Sequence, residues 1–169
     1  GRLMAIRPIL RWPDKRLRMP TLDVESITDD IHSIWADMVD TMDAMPGQGI
    51  GLGAPQIGVM QRLAVVDVTP DRSRRILLAN PEVLSASEEL EAGIEASPCL
   101  PGVHAEVMRP KAIAVRFLNE SGMVDRRDFV GLWATSAQHQ IDHLNGRMYF
   151  DRLSKVKRDM LLRRARKLS

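Results

Sequence analysis

The stretch QHQIDHLNG, residues 138–146, decides how the rest of the chain is read. His139 and His143 stand four apart, so on a helix both imidazoles lie on one face and can share a metal ion. In hydrolases that use this spacing, the residue after the first histidine is a glutamate that takes a proton from the attacking water. Here that residue is Gln140. An amide does not ionise near neutrality and cannot act as a general base. The plain alternative is a buried amphipathic helix whose histidines are satisfied by hydrogen bonds. Two histidines at this spacing, with Gln138, Asp142 and Gly146 around them, favour a metal site. A metal-holding histidine donates its other N–H to an acceptor. Asp142 is too close in sequence to be the obvious one, and the sequence does not name another.

A chain of 169 residues suits one domain with one core, so residues 1–169 are read as a single domain. Gly1 to Leu3 read as an added lead ahead of a natural Met4. The hydrophobic share of 44% and charged share of 27% are those of a soluble globular protein, which excludes a disordered chain. No apolar run is long enough to span a membrane. The opening GRLMAIRPIL lacks the apolar segment and cleavage site of a signal peptide. The single cysteine, Cys99, has no partner for an internal disulfide, which fits a reducing cytoplasm. The formal charge of +2 is small but unevenly placed.

Pro8, Pro13 and Pro20 break residues 8–20 into an extended lead-in. From Val24 to Met45 the positions Ile27, Ile31, Ile34, Trp35, Met38 and Met42 recur at helical spacing. Ser26 or Thr28 caps this helix, and Pro46 and Gly47 end it. Residues 47–58, GQGIGLGAPQIG, are too rich in glycine for a regular element. Strand-like runs follow at 62–68, 75–81 and 112–119. Asn119 to Gly122 is a turn signal, which predicts a hairpin linking 112–118 to 123–130. Leu132 to Asn145 reads as a helix stopped by Gly146, and Ser154 to Leu168 as a last helix. No internal repeat or linker stands out. The order of helix, strands, helix, strand-rich turn and helix implies an α+β domain with a mainly antiparallel sheet.

QHQIDHLNGRMYFDRLS, residues 138–154, resembles the third signature of peptide deformylases at nearly every position. GIGLGAPQ, residues 49–56, resembles the first signature, and LANPE at 78–82 and the opening RWPDKRLR also fit. The resemblance runs from about Met4 to Ser154. It implies mainly antiparallel sheets around a central metal-site helix, with N-terminal and C-terminal helices beside them. It also implies removal of the N-formyl group from the initiator methionine of nascent polypeptides. The implied cofactor is a divalent metal, Fe2+ or Zn2+, held by two histidines and a cysteine. By position, His139 and His143 are the histidine ligands. Gln140 stands where the family has its catalytic glutamate. Gln56 stands where a glutamine helps hold the formyl oxygen. Gly49, Ile50 and Gly51 are the implied substrate-binding edge. The residues themselves agree: glycines let a backbone approach a ligand closely, and Gln56 offers both a donor and an acceptor. A tight glycine-rich turn with no ligand is the plain alternative.

The family's second signature reads Glu-Gly-Cys-Leu-Ser, closely followed by Pro. Its cysteine is a metal ligand, and its leucine N–H is the oxyanion donor. Here the segment is EASPCLPG, residues 95–102. Two registers are open. Without gaps, Glu95 and Pro101 match, and Asn80, Pro81 and Arg109 stay in place. Ser97 then replaces the cysteine and Pro98 the leucine. With paired gaps, which is less economical, Cys99 and Leu100 take those roles. Serine is a poor substitute for thiolate on such metals. Proline has no N–H to offer an oxyanion. On an extended strand Ser97 and Cys99 would face one side, roughly 7 Å apart, and a bulge would bring Cys99 toward the metal. The alternative for Cys99 is a buried small hydrophobe.

In the C-terminal segment 154–169, Lys155, Lys157, Arg158, Arg163, Arg164, Arg166 and Lys167 oppose only Asp159, with Met160, Leu161 and Leu162 as anchors. A solvated helix end explains this. Contact with phosphate also explains it, and the resemblance points to ribosomal RNA. Neither DNA nor a membrane is an expected partner. Three functions stay open. One is a deformylase with activity weakened or lost, and another a non-catalytic binder of formyl-peptides or of the ribosome exit. The last is hydrolysis of a different bond.

Overall fold

The structure is a computed structural model and describes residues 5–47 and 49–168; the lead Gly1 to Leu3 lies outside the described residues. The three helices are α1 (Asp29–Asp43), α2 (Leu132–Leu144) and α3 (Lys155–Leu168). The strands are β1 (Gly51–Gly53), β2 (Leu63–Val66), β3 (Ile76–Ala86), β4 (Leu90–Ser97), β5 (Leu100–Pro110), β6 (Ala112–Leu118) and β7 (Val124–Val130). They form a five-stranded sheet ordered β1-β2-β3-β6-β7 and a separate two-stranded β4-β5 sheet. Every pair in these sheets is antiparallel. This is the α+β class that the sequence implies.

Strand β2, Leu-Ala-Val-Val, is buried at every position because both of its faces are covered. Leu63 and Val65 pack toward α1, in a cluster with Ile34, Trp35, Met38 and Met42. Ala64 and Val66 pack toward α2, with Phe117, Phe129, Ala137 and Ile141. A third cluster joins β5 to α3 through Val103, Val107, Phe150, Leu161 and Ala165.

Helix α1 starts at Asp29, not near Val24, because the Thr28 side chain accepts the Ile31 N–H at 3.3 Å and two aspartates fill the first turn. Val24 is held instead by the Asn80 side chain, which accepts its N–H at 2.8 Å and donates to its carbonyl at 2.9 Å. The proline-rich lead-in contains one 3-10 turn, Lys15–Arg18, capped by Asp14. The hairpin of β6 and β7 forms as its turn signal predicts, with Leu118 opposite Val124. Helix α2 stops short of Gly146 (φ +75), where a Cβ would lie 2.6 Å from the Arg18 carbonyl oxygen, so only glycine fits.

Ser97 and Cys99 do not share an extended strand. The chain turns at Pro98 and Cys99, which puts Ser97 opposite Leu100 across the hairpin. The irregularity in this pairing falls between Glu95 and Ser97, ahead of Cys99. In α3, Leu161 and Ala165 are the buried anchors and Leu162 is half-buried, whereas Met160 is half-exposed at 53%.

Candidate functional site

Helix α2 places His139, Gln140 and His143 under the edge strand β1. The fit depends on glycine. A Cβ at Gly51 would lie 2.6 Å from the Gln140 Nε2 and 2.6 Å from the Ser136 Oγ. A Cβ at Gly53 would lie 3.2 Å from the His143 Cβ. Ser136 donates to the Ile50 carbonyl at 2.8 Å, one turn before Gln140, and pins the strand to the helix. Arg72 donates to the Gly49 carbonyl at 2.5 Å, and Asp67 N–H to the Ile50 carbonyl at 3.1 Å. The three residues read as a substrate edge thus form the start and approach of a strand that has one side unpaired.

The imidazoles of His139 and His143 lie with centroids 5.0 Å apart. The acceptor that the sequence leaves unnamed is Glu95, whose Oε1 is 2.8 Å from the His139 Nδ1. Glu95 also takes two bonds from Arg109, Nε to Oε2 at 2.6 Å and Nη2 to Oε1 at 2.8 Å. Arg109 Nη1 donates to the Asp142 Oδ2 at 2.9 Å. Arg152 then grips both Asp142 oxygens at 2.7 and 2.8 Å. Burial pushes the Glu95 carboxyl up, but the Arg109 and His139 hydrogen bonds outweigh it and hold it at about 2. A carboxylate on Nδ1 fixes the tautomer that leaves Nε2 of His139 to face a ligand.

His143 is fully buried, and among the described residues neither of its ring nitrogens has a hydrogen-bond partner. Burial first, then the charges of His139 and Arg109, push it well below the usual imidazole range, so it stays neutral. Gln140 Oε1 and the Tyr149 hydroxyl are also buried without partners among the described residues. Tyr149 stacks on His139 at 5.9 Å, and burial with the Glu95 charge raises its hydroxyl to about 12. A buried polar atom without a partner costs about 1–3 kcal/mol. Four such atoms in three neighbouring residues of the 139–149 segment mark a place where water, an ion or a polar ligand completes the bonding.

The neutral, orphaned imidazole of His143 suits a borderline divalent metal. Among the described residues, however, no three His, Cys, Asp or Glu side chains come together as a metal-holding set. Cys99 has other neighbours. Its Sγ accepts from Gln56 Nε2 at 3.7 Å, its N–H donates to the Ser97 Oγ at 3.2 Å, and its carbonyl accepts from the Trp12 N–H. It packs with Leu100, Val103 and Phe150 in the third cluster. Burial pushes its thiol up despite the Ser97 and Gln56 bonds, so it remains protonated. Ser97, 5% exposed, lies two residues after Glu95. Gln56 is 1% exposed, and its Oε1 is already taken by the Gly53 N–H at 2.8 Å.

Sequence reasoning missed the partner roles of Glu95, Arg152, Ser136 and Tyr149. The one available signal was that Glu95 and Arg109 keep their places in the ungapped register.

The comparisons with known proteins agree with this architecture. A family model described as polypeptide deformylase matches residues 6–159. The peptide deformylase of Rhizobium meliloti (strain 1021) is 43% identical over 95% of this chain and 92% of its own length. That of Afipia carboxidovorans is 42% identical over 95% and 94%. Among solved structures, a peptide deformylase from Legionella pneumophila superposes with a TM-score of 0.90 at 38% identity, covering 97% of this chain and 95% of that one. One from Ehrlichia chaffeensis, in complex with actinonin, gives 0.90 at 33% identity over 98% and 99%. The family is one of divalent-metal enzymes acting on formyl-methionyl peptides of nascent chains. A helix that carries two imidazoles under a glycine edge strand, matched over nearly its whole length by these relatives, places this chain in the polypeptide deformylase family.

Proposed function

We propose that this chain engages the formyl-methionyl ends of nascent polypeptides in its family's manner, with hydrolysis of the formyl group weakened or lost. The observation that carries the reading is Gln140. Its amide stands beside the imidazoles and against Gly51, 4% exposed, where a general base belongs. An amide donates and accepts hydrogen bonds but takes no proton at neutral pH. The relatives bear the plain name of deformylase, so the weakening is read from Gln140 and residues 95–102 alone.

His139 and His143 would hold the metal, Fe2+ or Zn2+. When bound, such a metal polarises a carbonyl and makes water more acidic. Glu95 orients His139, and the Gly51 edge offers backbone groups to an extended peptide. Gln56 has an Nε2 that a formyl oxygen would take over from the Cys99 sulfur. The anchoring of Glu95 by Arg109 and His139 supports the ungapped register, in which Ser97 and Pro98 hold the ligand and oxyanion positions. A single cysteine, buried and free, suits the reducing cytoplasm proposed as the setting. The exposed cations of α3 support a contact with ribosomal RNA.

Loaded with Fe2+ without oxygen, the chain is expected to release formate from a millimolar formyl-methionyl peptide at least about 100-fold more slowly than a Gln140→Glu, Ser97→Cys double variant. Equal turnover by the two proteins overturns the reading. The second reading, a binder without turnover, is favoured by the buried amide, which can hold a peptide it cannot hydrolyse. Titration calorimetry with the same peptide separates it: heat of binding without formate supports a binder, and a flat titration removes it.

A further inference from the structure

The buried charges around α2 form one chain that ends at the surface. It runs from His139 to Glu95, Arg109, Asp142 and Arg152, and every link is 2.6 to 2.9 Å long. Four members are hidden, with side-chain exposures of 10% for His139, 4% for Glu95, 2% for Arg109 and 7% for Asp142. Arg152, at 38%, is the link that solvent reaches.

We propose that Arg152 is a positioning residue for His139, acting through Asp142, Arg109 and Glu95 to fix the tautomer and angle of an imidazole that it does not touch. The inference rests on the reading of His139 as the metal-holding histidine. Shared atoms carry the coupling. Asp142 Oδ2 is divided between Arg109 Nη1 and Arg152 Nε. Glu95 Oε1 is divided between Arg109 Nη2 and His139 Nδ1. Signs alternate along the chain, so loss of Arg152 leaves Glu95, Arg109 and Asp142 with one uncompensated negative charge in a buried place. Asp142 then draws Arg109 more strongly through the remaining bond. A guanidinium is rigid and planar, so motion at Nη1 is motion at Nη2. The pull on the Oε1 that His139 uses changes in turn. The two-pronged grip of Arg152 on both Asp142 oxygens is a contact that lysine cannot reproduce.

The test is nitrogen-edited magnetic resonance of the full chain, free of metal, read at the His139 Nδ1–H. The wild-type proton is expected as a single tautomer that exchanges slowly with water. In Arg152→Ala its signal shifts and its exchange with water quickens, carried through the three intervening side chains. Arg152→Lys restores part of the protection. Arg147→Ala is the control, because Arg147 lines the same surface depression as Arg152 and Asp142 and makes no ion pair among the described residues; it is expected to leave the signal unmoved. An unmoved signal in folded Arg152→Ala overturns the proposal. Where that variant fails to fold, an unmoved signal in Arg152→Lys does so. The measurement uses no metal and no substrate, so a failure of the deformylase reading leaves its outcome unaffected.

Discussion

Ser97 and Cys99 stand two positions apart and meet different surroundings. The Ser97 hydroxyl accepts the Cys99 N–H, while the Cys99 thiol lies against Gln56 within an apolar cluster. A thiolate is the form that holds a metal, and burial works against it at Cys99. Ser97→Cys is therefore expected to raise Zn2+ affinity at least about tenfold in competition with a chelator, and Cys99→Ser to leave it unchanged. The opposite pattern would assign the third ligand to Cys99 and favour the gapped register. How far such residues could be read from the sequence differs from case to case. The spacing of His139 and His143 fixes a shared helix face before any coordinates exist. The choice between Ser97 and Cys99 depends on a turn at Pro98 and Cys99, and an alternation rule that assumes an extended strand cannot see it.

The β4–β5 hairpin is the element that the sequence conceals. In β4 only Glu95 and Ser97 are buried, and both are polar, so the strand shows no apolar alternation. Its inward face is built to meet Arg109 and His139 and does not join a hydrophobic core. By contrast, β6 buries the apolar run Ile113, Ala114 and Val115, and α2 buries Ala134, Ala137, Ile141 and Leu144 at helical spacing; both are legible to within a residue or two. Arg109 is the clasp between hairpin and helix, 1% exposed and shared by Glu95 of β4 and Asp142 of α2. Arg109→Met keeps most of the volume and removes the cation buried between these two carboxylates. It is expected to lower stability by about 3–5 kcal/mol, because buried charges are left unpaired. Urea unfolding checks this, and a loss below about 1 kcal/mol would show that the clasp is dispensable. The sign with pH follows from the depressed Glu95 value. That stability is present above the unfolded carboxylate range and is lost as pH falls toward about 2, so in Arg109→Met the wild-type loss on acidification should be blunted.

The molecule as a whole joins a buried site to a basic outer helix. Helix α3 is anchored on the β5 side by Leu161 and Ala165. Its last turn closes on Gly102, where a Cβ would lie 2.8 Å from the Leu168 side chain in a backbone at φ +87. This attachment holds the cations outward. Lys155 and Arg158 pair loosely with Asp159, each at 4.0 Å, and among the described residues Arg163, Arg164 and Lys167 make no ion pair. Exposed and weakly paired cations stabilise a fold little, which leaves contact with an anionic surface as their more productive use. The proposed surface is ribosomal RNA. A protein that neutralises phosphates releases counterions, so its affinity falls steeply with salt. Binding to ribosomes, followed by sedimentation from about 50 to 200 mM KCl, should show that dependence. Changing Arg163, Arg164 and Lys167 to alanine together should lower the slope of log affinity against log salt by about three, one for each phosphate no longer neutralised. The same variant should keep the wild-type unfolding midpoint, since none of the three side chains is buried. A slope left unchanged in the triple variant would mean that α3 is a solvated helix whose charges serve solubility, and that the ribosome is met, if at all, by another face.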